Sequence, residues 1–217
     1  TGEGEADLSS LKYFGNFKGK EVKPSPDSPL KKLGIETVPP IITTAVFLDV
    51  RKHVFNGRAM KAGEYVTVEH VKETIKKSSL NNRGIIPGDV VLINTGWSDN
   101  YQDPDELGIY YTKAPGVSYN LVKYLADKQV VGVGLDTWGV DTFADEDEYG
   151  PERSQNPVGI ANPAHHYFLT KAGIHTLENF NLKGLAKDNV ELSCIMILPL
   201  MTEGSSASPI RPVAIGI

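Results

Sequence analysis

The chain has one cysteine, two tryptophans and three methionines in 217 residues. A single cysteine excludes an intrachain disulfide framework, and Cys194, inside the apolar run Leu192 to Leu198, reads as a core thiol. Basic charge is not in excess: 22 Lys and Arg against 27 Asp and Glu give a net charge of -5. No cationic field is left for a phosphate backbone or an acidic membrane surface, so nucleic-acid binding is not expected and a small-molecule partner is. No apolar run approaches the ~18 to 20 residues of a membrane span, and no secretory hydrophobic region is present. An initiator methionine is missing as well, since the chain opens on Thr1. We therefore expect a processed or trimmed product, soluble, in the cytoplasm or exported with a removed N-terminus.

What is present is enough for one core. With 40% hydrophobic residues the expectation is a single domain over residues 33–217, preceded by an arm and proline-rich linker over residues 1–32. Lys23 to Pro29 carries three prolines and holds neither helix nor central strand. Ile41 to Val50, Asp89 to Asn94 and Val130 to Leu135 are apolar runs of buried strands. Thr67 and Ser118 cap helices reaching about Ser79 and Lys128. The second helix makes a strand–helix–strand unit, and a right-handed parallel crossover brings Thr95 to Trp97 and Asp136 to Trp138 to one sheet edge, where ligands bind in open α/β sheets. The expected fold is α/β, a mixed sheet or partly closed barrel with packed helices.

Chemistry concentrates between Asn162 and Asn179, which holds three of the five histidines. Asn162 can cap a helix, Pro163 suits its first position and Gly173 its left-handed end. A strand from Ile174 to Glu178 then returns the chain toward its start and places Glu178 near His166. His165 and His166 point about 100° apart on an α-helix, so one of them faces Glu178, and spacing alone does not choose between them. An imidazole beside a carboxylate is half of a metal site or a structural hydrogen bond.

Other patterns fail on inspection. Gly132-x-Gly134 lacks the third glycine of a dinucleotide fingerprint and lies within a strand, where glycine marks close approach of a helix. The acidic run Asp145 to Glu148 misses the calcium-loop pattern at Tyr149 and Asn156, so it reads as solvated surface. Gly204 to Pro209 reads as a turn whose amides could line a pocket.

In order along the chain come Leu33-Gly-Ile-Glu36, Val46-Phe-Leu-Asp-Val50, Gly88-Asp-Val-Val-Leu-Ile-Asn-Thr-Gly-Trp97, Pro115-Gly-Val-Ser118, Val133-Gly-Leu-Asp-Thr137, His166 twelve residues before Glu178-Asn179, and Ser208-Pro-Ile-Arg-Pro-Val-Ala-Ile215. Taken together, these pieces resemble the metal-dependent cyclase and kynurenine formamidase family. The resemblance implies a swivelling β/β/α fold assembled as a dimer or tetramer. It implies Zn or Mn held by His166 and Glu178, and a pocket bordered by Trp97, Asp136, Trp138 and His165. The implied reaction is hydrolysis of a small amide or cyclic amide. The family's H-x-G-T-H-x-D ligand segment does not occur in the 217 residues. We expect it upstream of Thr1, as a separate segment or in a partner subunit; the alternative is a catalytically inactive protein that keeps the fold for binding or assembly.

Overall fold

The computed structural model describes residues 11–101 and 108–217. The arm expected over Thr1 to Ser10, and the middle of the loop after Trp97, lie outside the described residues. In chain order the helices are α1 (Gly19–Val22), α2 (Val50–His53), α3 (Val68–Lys77), α4 (Ile109–Thr112), α5 (Tyr119–Asp127), α6 (Pro163–His165) and α7 (Lys183–Asp188). The strands are β1 (Ile41–Leu48), β2 (Tyr65–Val66), β3 (Val90–Ile93), β4 (Gly116–Val117), β5 (Gly132–Leu135), β6 (His175–Leu177), β7 (Leu192–Ile197) and β8 (Val213–Gly216). A six-stranded mixed sheet runs β6-β5-β3-β1-β7-β8, and β2 pairs separately with β4. This is the α/β class expected, with helices packed on a sheet.

Two compact units are present. One comprises the chain up to Ile42 with Ile195–Ala214; the other comprises Thr43–Cys194 with Ile215–Ile217. In the first, Leu30 N–H donates to Gly204 O at 2.9 Å and Ile35 N–H to Ser205 O at 2.8 Å, tying its two chain segments together. The amide of Gly204 donates to Glu36 Oε2 at 3.2 Å and that of Ser205 to Thr202 O at 3.2 Å. These two amides are taken by Glu36 and Thr202 and are not held out to line a pocket.

The second unit is built on β1, β3, β5 and β6, each parallel to the next. Register sets Val46 beside Val91 and Val133, and Leu48 beside Ile93 and Leu135, so these residues share a face. Against that face pack Val71 of α3, Leu121, Val122 and Leu125 of α5, and Phe168 and Ile174, all buried. Each such side chain contributes roughly 1.5–3 kcal/mol of transfer free energy. The helix starts follow the sequence reading: Thr67 Oγ1 accepts the His70 N–H and Ser118 Oγ the Leu121 N–H. Gly132 and Gly134 lie close to neighbouring strands and not to a helix: a Cβ at Gly134 would stand 2.8 Å from Leu92 Cδ2. Among the described residues no helix is long and apolar enough to cross a membrane.

Candidate active site

Parallel strands deliver their following residues to one edge, and here that edge collects Asp49 after β1, Asn94 to Ser98 after β3, Asp136 after β5 and Glu178 with Asn179 after β6. Asp136 is fully buried. Its Oδ1 accepts Thr95 N–H at 2.8 Å and Thr95 Oγ1–H at 2.6 Å, and its Oδ2 accepts Ser98 N–H at 3.3 Å. Burial drives its carboxyl pKa above the usual range, against the pull of these donors. Asp136 thus fixes the β3 loop from beneath. Trp97 is buried in the same layer, with Nε1 donating to Tyr110 O at 3.3 Å. Tyr110 in turn donates its hydroxyl to Asn179 Oδ1 at 2.7 Å. Burial first, then Asp136 and the neighbouring tyrosines, push that hydroxyl's pKa well up, so it stays a donor. Trp138 is half-buried, stacks on Phe143 at 4.3 Å and donates from Nε1 to Lys113 O at 3.2 Å.

The helix expected from Pro163 starts as α6 and continues as a π-helical stretch, His166–Ala172, ending at Gly173 with φ 66°. Asn162 does not cap it with its side chain. Asp141, from the loop after β5, does so instead, accepting Ala164 N–H at 2.7 Å and His165 N–H at 3.1 Å. The same carboxylate lies 2.6 Å from His165 Nδ1, and Glu178 Oε1 lies 2.7 Å from His165 Nε2. The imidazole facing Glu178 is therefore that of His165, the choice that spacing alone left open. The His166 N–H donates to Asn162 O at 2.9 Å, and its carbonyl accepts the Thr170 hydroxyl. Glycine sets up the loop that carries Asp141. A Cβ on Gly116 would fall 2.4 Å from Asp141 C and 2.5 Å from Thr142 N, so only glycine lets β4 run this close.

Burial depresses the His165 pKa, but Asp141 and Glu178 together outweigh it and raise it to about 9. At neutral pH the ring is an imidazolium between two carboxylates. Glu178 Oε1 is itself buried and receives no aligned hydrogen bond, so its closeness to His165 Nε2 is a charge contact that leaves lone pairs unused. Oε1 is thus charge-paired with the imidazolium, and both His165 ring nitrogens face carboxylates, so none of these three atoms is free for a metal ion in this arrangement. Among the described residues no group of three or more His, Cys, Asp or Glu side chains is placed to hold a metal ion. A catalytic metal needs about three protein donors and an open position, more than the described residues bring together here.

The acidic loop is ion-paired and not a cation site: Lys113 Nζ reaches Asp145 Oδ2 at 2.5 Å and Glu148 Oε2 at 2.8 Å, and Arg153 forms a fork with Glu146. A cavity of about 370 Å³ is lined by Ser98, Tyr101, Asn179, Phe180, Asn181 and Lys183. Of the four residues expected as pocket wall, Trp97 and Asp136 are buried, and Trp138 and His165 are half-buried and are not among the residues lining this cavity. Asp141, Tyr110 and Asn179 were not foreseen. The Asn that follows Glu178 in the sequence was the one available signal, and its φ of 58° marks a turn held in a special conformation.

Residues 24–142, more than half of the chain, match the model of the family described as "Putative cyclase". The curated proteins contain no match. Among solved structures, one described as a novel cyclase superposes with a TM-score of 0.73 at 20% identity, covering 94% of this chain and 64% of its own. Isatin hydrolase A from Ralstonia solanacearum gives 0.60 at 24% identity, covering 83% of this chain and 63% of its own. A "predicted metal-dependent hydrolase" from Bacillus stearothermophilus gives 0.50 at 22% identity, with 80% and 63% covered. At these identities the likeness establishes the fold. The chain spans just under two thirds of the length of each of these structures.

Proposed function

Because this chain belongs to the cyclase family, we propose that it works in a metal-dependent hydrolase of small amides or cyclic amides. The observation that carries this reading is the placement of Glu178, with Asp49, Asp136 and Asn179, at the carboxyl edge of the parallel strands, where Asn179 lines a cavity of about 370 Å³. Glu178 and His166, at the family's spacing, serve as two ligands of Zn or Mn. A bound divalent ion supplies water acidic enough to attack an amide carbonyl near neutral pH. This chain's own residues prepare the surroundings. Asp141 orients the His165 imidazolium, which holds Glu178 by charge, and Tyr110 fixes Asn179 on the cavity wall. The remaining donors come from the H-x-G-T-H-x-D segment, in cis or from another chain, within a dimer or tetramer.

Elemental analysis of the full-length native protein tests this reading. His166→Ala and Glu178→Gln should each lower bound metal sharply, and unchanged metal with intact folding contradicts the ligand assignment. A second reading, a non-catalytic binding module of the same fold, is favoured by the engagement of both His165 nitrogens with carboxylates. It requires no stoichiometric metal and no turnover of formylated anilines.

A further inference from the structure

The sequence contains a single Asn-Gly step, Asn56-Gly57. Both residues have positive φ, 53° and 86°, and Arg58 N–H donates to Phe55 O at 3.0 Å, so they are the two central residues of a tight turn just after α2. Asn and Gly are the residues that tolerate this backbone. The same pair carries a chemical liability. With no side chain on Gly57 in the way, its backbone nitrogen can attack Asn56 Cγ: a new N–C bond closes a five-membered imide, the Cγ–N bond breaks, and the side-chain nitrogen leaves as ammonia with the proton of the Gly57 amide. Water then opens the ring at one carbonyl or the other and leaves aspartate or isoaspartate.

Packing does not prevent this step. Asn56 and Gly57 are exposed, and a Cβ placed on Gly57 would meet nothing within 4 Å. What the fold engages is the attacking nitrogen itself. Gly57 N–H donates to Arg51 O at 2.8 Å, and Gly57 O accepts Arg51 Nε–H at 2.8 Å. Arg51 is anchored on two further sides, by its N–H on Asn94 O at 3.1 Å and by Nη1 against Asp99 Oδ2 at 2.7 Å. Attack needs the Gly57 nitrogen stripped of its proton and turned toward Asn56 Cγ, and both demands break the bond to Arg51 O.

We propose that Asn56 is a latent site of spontaneous deamidation, held closed in the folded chain by the Gly57 N–H bond to Arg51 and opened by local unfolding of this turn. Deamidation places a carboxylate on the wall that Asn56 shares with Arg51 and Lys52. Isoaspartate also adds a methylene to the backbone, so the two-residue turn no longer closes and Arg51 loses both bonds to Gly57. This chemistry does not depend on the hydrolase reading.

The test incubates the full chain, folded and in guanidinium chloride, in the same mildly alkaline buffer and follows conversion of Asn56 by peptide mass spectrometry. Conversion should be slower in the folded chain by about tenfold or more, the factor that a kept backbone hydrogen bond and its turn impose on an opening equilibrium. Arg51→Ala removes the Nε donor and leaves the backbone acceptor. In that variant hydrogen exchange at the Gly57 amide and conversion of Asn56 should both quicken severalfold, while the amides of β3 stay as protected as before. Comparable conversion in the folded and unfolded chain overturns the proposal, and so does faster Gly57 exchange in Arg51→Ala without faster conversion. The first comparison uses the unaltered chain and stands whether or not Arg51→Ala folds.

Discussion

Asp141 holds His165 twice, accepting its backbone N–H at 3.1 Å and lying 2.6 Å from its ring Nδ1. One carboxylate therefore fixes both the start of a helix and the charge state of the imidazole that faces Glu178. The pH dependence follows directly. The folded pKa of His165, about 9, exceeds its ordinary 6.5, so the folded state binds the proton more tightly. The resulting stability is fully present below 6.5 and is lost as pH rises through about 9, amounting to up to about 3 kcal/mol. Urea unfolding of the native chain and of His165→Gln should show a stability gap that shrinks between about pH 6 and about pH 10. A gap that grows with pH contradicts the pairing.

Asp136 should behave as structure, not as chemistry. Asp136→Ala leaves the Thr95 N–H, the Thr95 hydroxyl and the Ser98 N–H without their acceptor. Destabilisation of about 3 kcal/mol is expected in urea unfolding, with Asp136→Asn recovering part of it.

Gly116 is tested by adding one methyl group. Its Cβ would meet backbone atoms of Asp141 and Thr142, which cannot swing aside as a side-chain tip can. Gly116→Ala should cost about 2 kcal/mol or more and loosen Asp141 from His165, seen by NMR as a His165 pKa falling toward 6.5. Gly184 in α7 meets nothing within 4 Å, and Gly184→Ala there should stabilise by up to about 1 kcal/mol.

Tyr110→Phe removes one donor from Asn179 Oδ1 and keeps the ring packed on Tyr101 and Tyr111. A loss of about 1 kcal/mol in stability is expected. If Asn179 lines the substrate cavity as proposed, KM for an amide substrate should rise more than kcat falls.

The scaffold was legible because its signals are local. Thr67 and Ser118 cap the helices they were expected to cap, and the apolar runs before Asn94 and Asp136 are the buried strands β3 and β5, parallel neighbours ending at one edge. Glu178 emerges at that edge for the same reason. The choice between His165 and His166 was not legible, because it turns on Asp141, a distant residue that caps this helix start and holds the His165 ring. The role of Asp141 was hidden in another way. It lies 24 residues before His165, beside acidic residues whose composition reads as surface, and only the third dimension brings it to the helix start. Tyr110 and Asn179 meet across a separation of 69 residues, beyond any local pattern.

The central claim is that Glu178 stands at a metal-dependent hydrolytic centre. The most direct measurement is hydrolysis of formanilide by the full-length native protein with Zn or Mn, before and after chelation, beside Glu178→Gln. The account predicts turnover that disappears with the metal and falls by about 100-fold or more in Glu178→Gln, in line with the size of a lost metal-linked contribution. Turnover indifferent to the metal or to Glu178, or no turnover with either ion supplied, would contradict it.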